Sequence, residues 1–467
     1  MVKNKRSFYM LSLGCAKNTV DSNSMAQLLA RSGFHAVPSP EDAGFLVVNT
    51  CGFIGPAKEE SYQALQALAQ DKRPGQMLIA AGCLTQRYGA QVVERVPGID
   101  AVLGTRRWMD IVDVVQTLRQ DGGPEPMYHL PDSPTVGADV GGIHQVARQG
   151  GSAYLKIADG CRRPCAFCAI PLIKGTAVSR PVELILDEAR MLNDAGVREL
   201  VLIAQDTTDY GSDLGIKNGM APLLKKLLAA APDIDWFRIL YAFPGYVTGE
   251  LIDVMADAPR VLPYLDIPLQ HAHPEVLRRM RRPANMEWIY RTLETMRNKM
   301  PGLAVRTTFI VGYPGETESE FRVLLDFVER MRFDRVGAFL FSFEAGTESA
   351  ALGDPVPADV KEERYQRLME LQQSISLQKN QEFVGRTLDV IVEGYGDGIS
   401  VGRSYRDAPE IDGLVLVEGE LPVGEIAPVI INGAMVYDLS GIPAGVASIA
   451  EISLDRNNLD KTRSGGV

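Results

Sequence analysis

The sequence predicts a three-part α/β chain: an N-terminal doubly wound parallel α/β domain, a central open (βα)6 barrel, and a small C-terminal antiparallel β-barrel of OB-like size. Three observations predict it. Strand, turn and helix repeat three times in the first 120 residues, six further strand–helix alternations follow a break rich in glycine and proline, and after Gly385 short strands with glycine turns replace the alternation.

In the first part, residues 8–13, 44–49 and 76–81 are apolar strands, followed by helical periodicity over roughly 21–31, 57–70 and 86–96. Units of about 30 residues suit βαβ crossovers, which make a sheet parallel. From 121 to 151 the composition turns to Gly, Pro, Asp and Ser and reads as a linker. Strands are then expected at 153–157, 200–204, 236–242, 264–269, 304–311 and 335–343, with helical segments between them. Six such units imply a parallel barrel left open, because a closed one has eight. A charged amphipathic helix from 358 to about 381 leads out of it. Segments such as Thr387-Leu-Asp-Val-Ile-Val-Glu-Gly and Gly413-Leu-Val-Leu-Val read as strands of the last barrel. The expected divisions are 1–120, a linker at 121–151, 152–383, 384–449 and a polar tail at 450–467.

Composition narrows the function classes. No apolar run approaches the roughly 18 to 20 residues of a membrane span, so neither a membrane partner nor an anchor is expected. Lys3, Lys5 and Arg6 precede a short apolar run ending at Gly14-Cys15, faintly like a lipoprotein signal. Ser12 stands where such a signal needs leucine, and an amphipathic helix follows where a polar tether would be needed, so a cytoplasmic protein is expected. A net charge of −11 argues against nucleic acid as a partner of the whole surface and favours a basic one. Six cysteines in 467 residues are too few for a disulfide framework.

The positions of those cysteines carry the chemistry. Cys161, Cys165 and Cys168 form a C-x3-C-x2-C run directly after the first barrel strand, on the face where such barrels place their active sites. Three thiolates on a [4Fe–4S] cluster leave one iron without a protein ligand. Structural zinc is the alternative, but it closes its shell with four ligands, and no fourth Cys or His stands nearby. Cys15, Cys51 and Cys83 are scattered, yet each follows one of the three N-terminal strands. In a parallel sheet those strand ends share one edge, where ligands bind, so a second three-thiolate cluster fits there. Small buried core cysteines are the other reading of this set.

The cysteine loop with its six-unit barrel resembles the radical S-adenosylmethionine superfamily, and the three N-terminal cysteines resemble its methylthiotransferase branch, whose terminal β-barrel is the TRAM domain. Ser12-Leu-Gly-Cys-Ala-Lys-Asn-Thr-Val-Asp-Ser, Gln205-Asp-Thr-Thr-Asp-Tyr-Gly and Gly402-Arg-Ser-Tyr-Arg-Asp-Ala-Pro-Glu-Ile-Asp-Gly are similar to motifs of the RimO group, which methylthiolates an aspartate of ribosomal protein S12. Ala16 stands where that group usually has proline, and Lys174-Gly-Thr-Ala-Val-Ser-Arg-Pro where it more often has Arg-Gly and further basic residues.

The resemblance implies two [4Fe–4S] clusters with separate roles. The cluster of Cys161, Cys165 and Cys168 would bind S-adenosylmethionine and cleave it to a 5′-deoxyadenosyl radical, which removes a hydrogen from the aspartate β-carbon. The cluster of Cys15, Cys51 and Cys83 would hold the transferable sulfur. Phe167, through its backbone, and Gln205 are the expected S-adenosylmethionine contacts, with Arg306, Thr308 and Gly312 after them. Gly312 and Gly315 also suit an ordinary tight turn. His271 and His273 look like a metal pair, but hydrogen bonding or packing is the better expectation with both clusters supplied. An electron donor and a sulfur source are implied without being identified.

Charge bears on the substrate. From Gly385 to Ser440 ten acids face three bases, a net −7 that would repel an RNA backbone and attract a basic ribosomal protein, although the same charges could serve solubility alone. A transfer-RNA methylthiotransferase is the nearest alternative function, and a non-catalytic iron–sulfur module the next.

Overall fold

The structure, a computed structural model, describes residues 6–121, 123, 125–137 and 139–445; Lys3, Lys5, residues 446–449 of the expected last barrel and the tail from 450 lie outside the described residues. The chain divides into two compact units, Met1–Glu370 and Leu371–Val467.

The first unit begins with β1 (Ser7–Ser12), α1 (Ala16–Arg31), β2 (His35–Ala36), β3 (Phe45–Thr50), α2 (Gly55–Gln70), β4 (Met77–Gly82), α3 (Cys83–Arg95), β5 (Ala101–Gly104), α4 (Ile111–Asp121) and β6 (Met127–His129). The strands form a wholly parallel sheet in the order β2-β1-β3-β4-β5-β6. Successive side chains of β3 and β4 point to opposite faces. Val47 and Ile79 pack with Met25, Leu29, Val114 and Val115 of α1 and α4. Leu46, Val48, Leu78 and Ala80 pack with Tyr62, Leu65, Leu84 and Val92 of α2 and α3. Helices on both faces leave nothing of these strands in water, which is why they read as continuous apolar runs.

Two local expectations change. α1 starts at Ala16 rather than 21 and α3 at Cys83 rather than 86, because Asn18, Asp21, Ser22 and Thr85 are polar yet buried and interrupt the apolar periodicity. The stretch read as a linker also carries strands: β6 extends the parallel sheet, and β7 (Val146–Gln149) adds an antiparallel edge to the barrel. Between them, Ser24 and Gln27 of α1 donate to the His144 carbonyl at 3.0 and 2.9 Å. Edge strands of three and four residues are too short to show an alternation.

The barrel follows as β8 (Ser152–Lys156), β9 (Ala158–Asp159), α5 (Ile170–Lys174), β10 (Val178–Ser179), α6 (Val182–Asp194), β11 (Glu199–Ile203), α7 (Met220–Ala230), β12 (Trp236–Ile239), α8 (Gly249–Asp257), β13 (Tyr264–Asp266), α9 (Pro274–Arg279), α10 (Met286–Lys299), β14 (Ala304–Val311), α11 (Glu318–Met331) and β15 (Arg335–Leu340), after which α12 (Ala358–Gln381) leaves it. All six expected strands form. β8, β11 and β12 pair in parallel, as do β13, β14 and β15, and Ala242 N–H donating to the Asp266 carbonyl at 2.9 Å joins the two groups. Among the described residues no pairing returns from β15 to β8, so the barrel is open. Its floor holds a fully buried ion pair, Arg238 to Glu199 at 2.7 Å, with Ser152 donating to the same carboxylate. No helix among the described residues is long and apolar enough to cross a membrane.

In the second unit β16 (Thr387–Gly396), β17 (Ile399–Ser404), β18 (Val415–Glu418), β19 (Ile426–Ala434) and β20 (Leu439–Pro443) close into a barrel around Val390, Val415, Val417, Val429, Ile431 and Leu439. It is not antiparallel throughout, since β18 and β20 run parallel. A closed ring of five strands cannot alternate direction at every step, so one pair must be parallel.

Candidate active site

The three scattered cysteines converge on one edge of the parallel sheet, around the point between β1 and β3 where the strand order reverses and where such sheets bind ligands. Each lies between a strand end and a helix start. Cys15 is the N-cap of α1, Cys83 is the first residue of α3, and Cys51 precedes α2 by a short turn. Helix N-termini present unpaired N–H groups and partial positive charge, which favour thiolate and anionic ligands.

A glycine stands beside each thiol, and each is there for space. A Cβ on Gly14 would lie 2.8 Å from Cys51 Cβ, one on Gly52 2.6 Å from the Leu84 backbone, and one on Gly82 2.5 Å from Thr50 O. The strand ends therefore approach more closely than any side chain permits. Cys15 is exposed, Cys51 half-buried and Cys83 buried. Burial pushes the Cys51 thiol up to about 11 and raises that of Cys83 as well. Such thiols ionise when a cation takes the proton's place.

The second set lies on the loop between β9 and β10, whose antiparallel pairing clamps the loop at its base. Cys161 N–H donates to the Gly175 carbonyl at 3.0 Å, and Ala166 accepts from Ser349 N–H and donates to the Met280 carbonyl, both at 2.9 Å. The loop arginines are anchored by the Gln205-Asp-Thr-Thr-Asp motif after β11. Arg163 binds Asp206 at 2.6 Å and stacks on Tyr246 at 3.6 Å, while Arg162 binds Asp209 at 2.6 Å. Burial pushes Cys161 and Cys168 up to about 11 and about 12. Arg163 N–H points to Cys161 Sγ at 3.4 Å and Arg282 Nη1 to Cys165 Sγ at 3.5 Å, contacts that would stabilise thiolates.

The donor sets fit [4Fe–4S] clusters. The chain has six cysteines, three in each place. Among the described residues no three His, Cys, Asp or Glu side chains are gathered around a single-ion position. In a cubane each thiolate binds a different iron, so its ligands stand farther apart than those of one ion.

The remaining expected residues ring the barrel mouth. Phe167 packs against the buried cluster of Val276, Met280, Tyr313 and Phe341, and among the described residues its own N–H and C=O make no backbone hydrogen bond. Gln205 donates to Asp159 at 3.1 Å, while its buried Oε1 has no partner among the described residues. In β14 the residues Arg306, Thr308 and Ile310 alternate with fully packed neighbours, half-buried on the lumen side. Arg306 binds Asp266 at 3.2 Å. Gly312 is different. Its φ is +71°, Glu316 accepts its N–H at 3.1 Å, and a Cβ there would strike Lys361, the features of a tight turn that needs glycine. His271 is fully buried and accepts from His273 N–H at 2.9 Å, and His273 accepts from Glu275 N–H, so both serve in hydrogen bonding.

The sequence did not reveal what joins the two thiol sets. Asp21 of α1 and Asp159 at the end of β9 share two buried lysines, Lys156 and Lys174: Lys174 lies 2.8 Å from Asp21 and 3.2 Å from Asp159, Lys156 lies 3.1 Å from Asp159, and Lys156 also binds Asp21. Burial alone would raise the Asp159 carboxyl, but the two ammonium groups hold it well below the usual range. Lys174 opens the Lys174-Gly-Thr-Ala-Val-Ser-Arg-Pro segment after the cysteine loop, and Asp21 belongs to the motif around Cys15. Cys83 packs against Ala169 and Ile173, and Ala169 follows Cys168, so α5 lies between the two sets. Glu344, after β15, binds Lys58 of α2 at 2.9 Å and Arg87 of α3 at 2.5 Å. The visible signal was weak: charged residues in motifs otherwise chosen for their cysteines.

Comparison with known proteins agrees with this architecture. Residues 155–328 match the Radical SAM superfamily, 7–104 the Uncharacterized protein family UPF0004, and 384–443 the TRAM domain. Among solved structures, the radical S-adenosylmethionine methyltransferase TsrM from Kitasatospora setae, with cobalamin and a [4Fe-4S] cluster bound, shares the fold at a TM-score of 0.55 and 13% identity, covering 85% of this chain and 77% of that one. The ribosomal protein uS12 methylthiotransferase RimO of Roseiflexus sp. (strain RS-1) is 47% identical over 93% of this chain and 96% of its own length. That of Chloroflexus aurantiacus is 48% identical over 93% and 99%. At such identity over nearly the full length, the chain belongs to the RimO family of ribosomal protein uS12 methylthiotransferases.

Proposed function

We propose that the protein is a radical S-adenosylmethionine methylthiotransferase of the cytoplasm that adds a methylthio group to the β-carbon of an aspartate of ribosomal protein S12, using two [4Fe–4S] clusters. The observation that carries this reading is the pairing of two three-thiol sets, each at the ligand edge of its own α/β sheet, across one short helix.

Cys161, Cys165 and Cys168 would hold one cluster and Cys15, Cys51 and Cys83 the other. When bound, the clusters supply the electron that cleaves S-adenosylmethionine and a position for the sulfur to be transferred. The chain's own residues orient and enclose. The free backbone groups of Phe167 and the unpartnered Oε1 of Gln205 are the contacts offered to S-adenosylmethionine, with Arg306 and Thr308 on the lumen side of β14. Asp159 aims Gln205 by accepting its amide, and Asp206 and Asp209 keep the cysteine loop in place.

Docking of S12 falls to the TRAM barrel. Asp389, Glu393, Asp397, Glu410, Glu418, Glu420 and Glu425 are exposed, whereas Arg403 and Arg406 are buried, so Arg386 is the exposed base of residues 385–440. Arg403 binds Glu393 and the Asp407 carbonyl, and Arg406 binds Asn380 at 3.1 Å, which gives the arginines of the 402–413 motif a folding role. The outward face thus keeps most of the acidic excess of the sequence, seven acids to one base, and it suits a basic protein better than an RNA backbone.

Mass spectrometry tests the reading. Purified S12 and bulk transfer RNA are each incubated with the anaerobically reconstituted, reduced enzyme and S-adenosylmethionine. A methylthio adduct on an aspartate of S12 alone is the expected result. An adduct on RNA adenosine alone overturns the substrate, and failure to cleave S-adenosylmethionine overturns the enzyme.

A further inference from the structure

The first turn of α1 holds a buried cation that no carboxylate meets at ion-pair distance among the described residues, although Tyr241, Cys15 and Asp266 stand near enough to favour its charged form. Lys17 follows Cys15 by two residues and is 9% exposed. Its ammonium lies 3.3 Å from the centre of the Tyr241 ring, at the mouth of the barrel beyond β12. Among the described residues no carboxylate forms an ion pair or hydrogen bond with it. Asp266, the carboxylate that Tyr241 itself binds, is fully buried and already engaged: one oxygen accepts Tyr241 N–H at 3.0 Å and the other accepts Arg306 at 3.2 Å. A ring face attracts an ammonium but offsets only part of the solvation lost on burial.

The platform under Lys17 is built. Tyr241 has φ +63°, a region that bulky residues adopt only when their surroundings impose it. Asp266 holds its N–H, and Thr207 holds its carbonyl through both N–H at 3.1 Å and Oγ1 at 3.3 Å. The ring is thereby fixed from β11 and from β13. Lys17 starts beside the scattered thiols and ends over the barrel mouth, where the two halves of the proposed reaction meet.

We infer that Lys17 reads the carboxylate of the target aspartate, taking it as the missing counter-ion and so presenting the neighbouring β-carbon between the two thiol sets. The inference rests on the substrate reading above. The chemistry is specific: the β-carbon is bonded directly to the carboxylate carbon, so a clamp on that charge places the reacting atom. Asparagine has the same shape without the charge. A counter-ion for the thiolates beside Cys15 is the competing role.

The test is equilibrium binding of fluorophore-labelled S12 to the cluster-loaded, unreduced enzyme with S-adenosylmethionine present. S12 is compared with a form in which the modified aspartate, identified by mass spectrometry, is replaced by asparagine. The native enzyme should prefer the aspartate form by about 30-fold, about 2 kcal/mol, the scale of a desolvated charge pair. Lys17→Gln should bring the aspartate form down to the asparagine form without changing the latter, and Lys17→Arg should restore part of the preference. An unchanged preference in Lys17→Gln, an equal loss for both forms, or a shifted auxiliary-cluster spectrum with discrimination intact overturns the inference. Failure of the native enzyme to modify S12 at all is a separate result, which removes the substrate reading and this inference together.

Discussion

The two thiol sets are assembled in opposite ways. One comes from a single loop, clamped by β9 and β10 and pinned through Ala166 and Cys161, so its geometry is closed almost within one segment. The other comes from three strand ends and exists only because β1, β3 and β4 are hydrogen-bonded in parallel register with glycine at each close approach. The first resembles a motif and the second a property of the sheet. A local set tolerates distant damage, whereas a set gathered by a sheet fails with any of its contributors.

The largest effects separate the roles. Cys165→Ala should abolish 5′-deoxyadenosine formation, and Cys51→Ala should stop methylthio transfer while cleavage of S-adenosylmethionine continues, both read by liquid chromatography of the products. Methylthiolation by Cys51→Ala would remove the scattered set from sulfur transfer.

Next comes a substitution that touches no ligand. Gly52→Ala places a Cβ 2.6 Å from the Leu84 backbone. It should cost the enzyme about half of its iron and sulfide, with the loop-held cluster retained in the spectrum. Full iron content would mean that the strand ends can separate without consequence.

The link between the sets predicts a stability effect. Asp21→Ala leaves Lys156 and Lys174 with a single shared carboxylate in a buried place, and it should lower stability by about 3–5 kcal/mol in denaturant titration. A change under about 1 kcal/mol would show that solvent reaches the lysines.

The smallest effect is expected at the start of α11. Glu320 caps α11 together with Thr317 and binds Arg279 at 3.0 Å. Burial would raise its carboxyl, but these partners hold it at about 2. A depressed folded-state value stabilises above the unfolded value, near 4.5, and that contribution fades as pH falls toward 2. Glu320→Gln should therefore cost about 1 kcal/mol at pH 7, and its difference from the native protein should shrink in denaturation curves below about pH 4.5. A difference independent of pH would assign the cost to packing.

Much of the fold and of the candidate site could be read from the chain. All six barrel strands and the six cysteines stood out because apolar alternation, turn residues and C-x3-C-x2-C spacing are local signals. β6 and β7 did not, since edge strands so short leave no period to detect. The bond from Gly312 N–H to Glu316 likewise leaves no trace in the spacing of its motif.

By itself the sequence determined the succession of elements, the place of each thiol after a strand and the acidic excess of the last domain, since each of these is carried by neighbouring residues. Only the tertiary structure decided which charges meet. Asp21 joins lysines far along the chain, Lys17 finds Tyr241, and Arg403 and Arg406 turn inward and leave an acidic surface. Electrostatic partnership depends on distance and burial in three dimensions, and a sequence records neither.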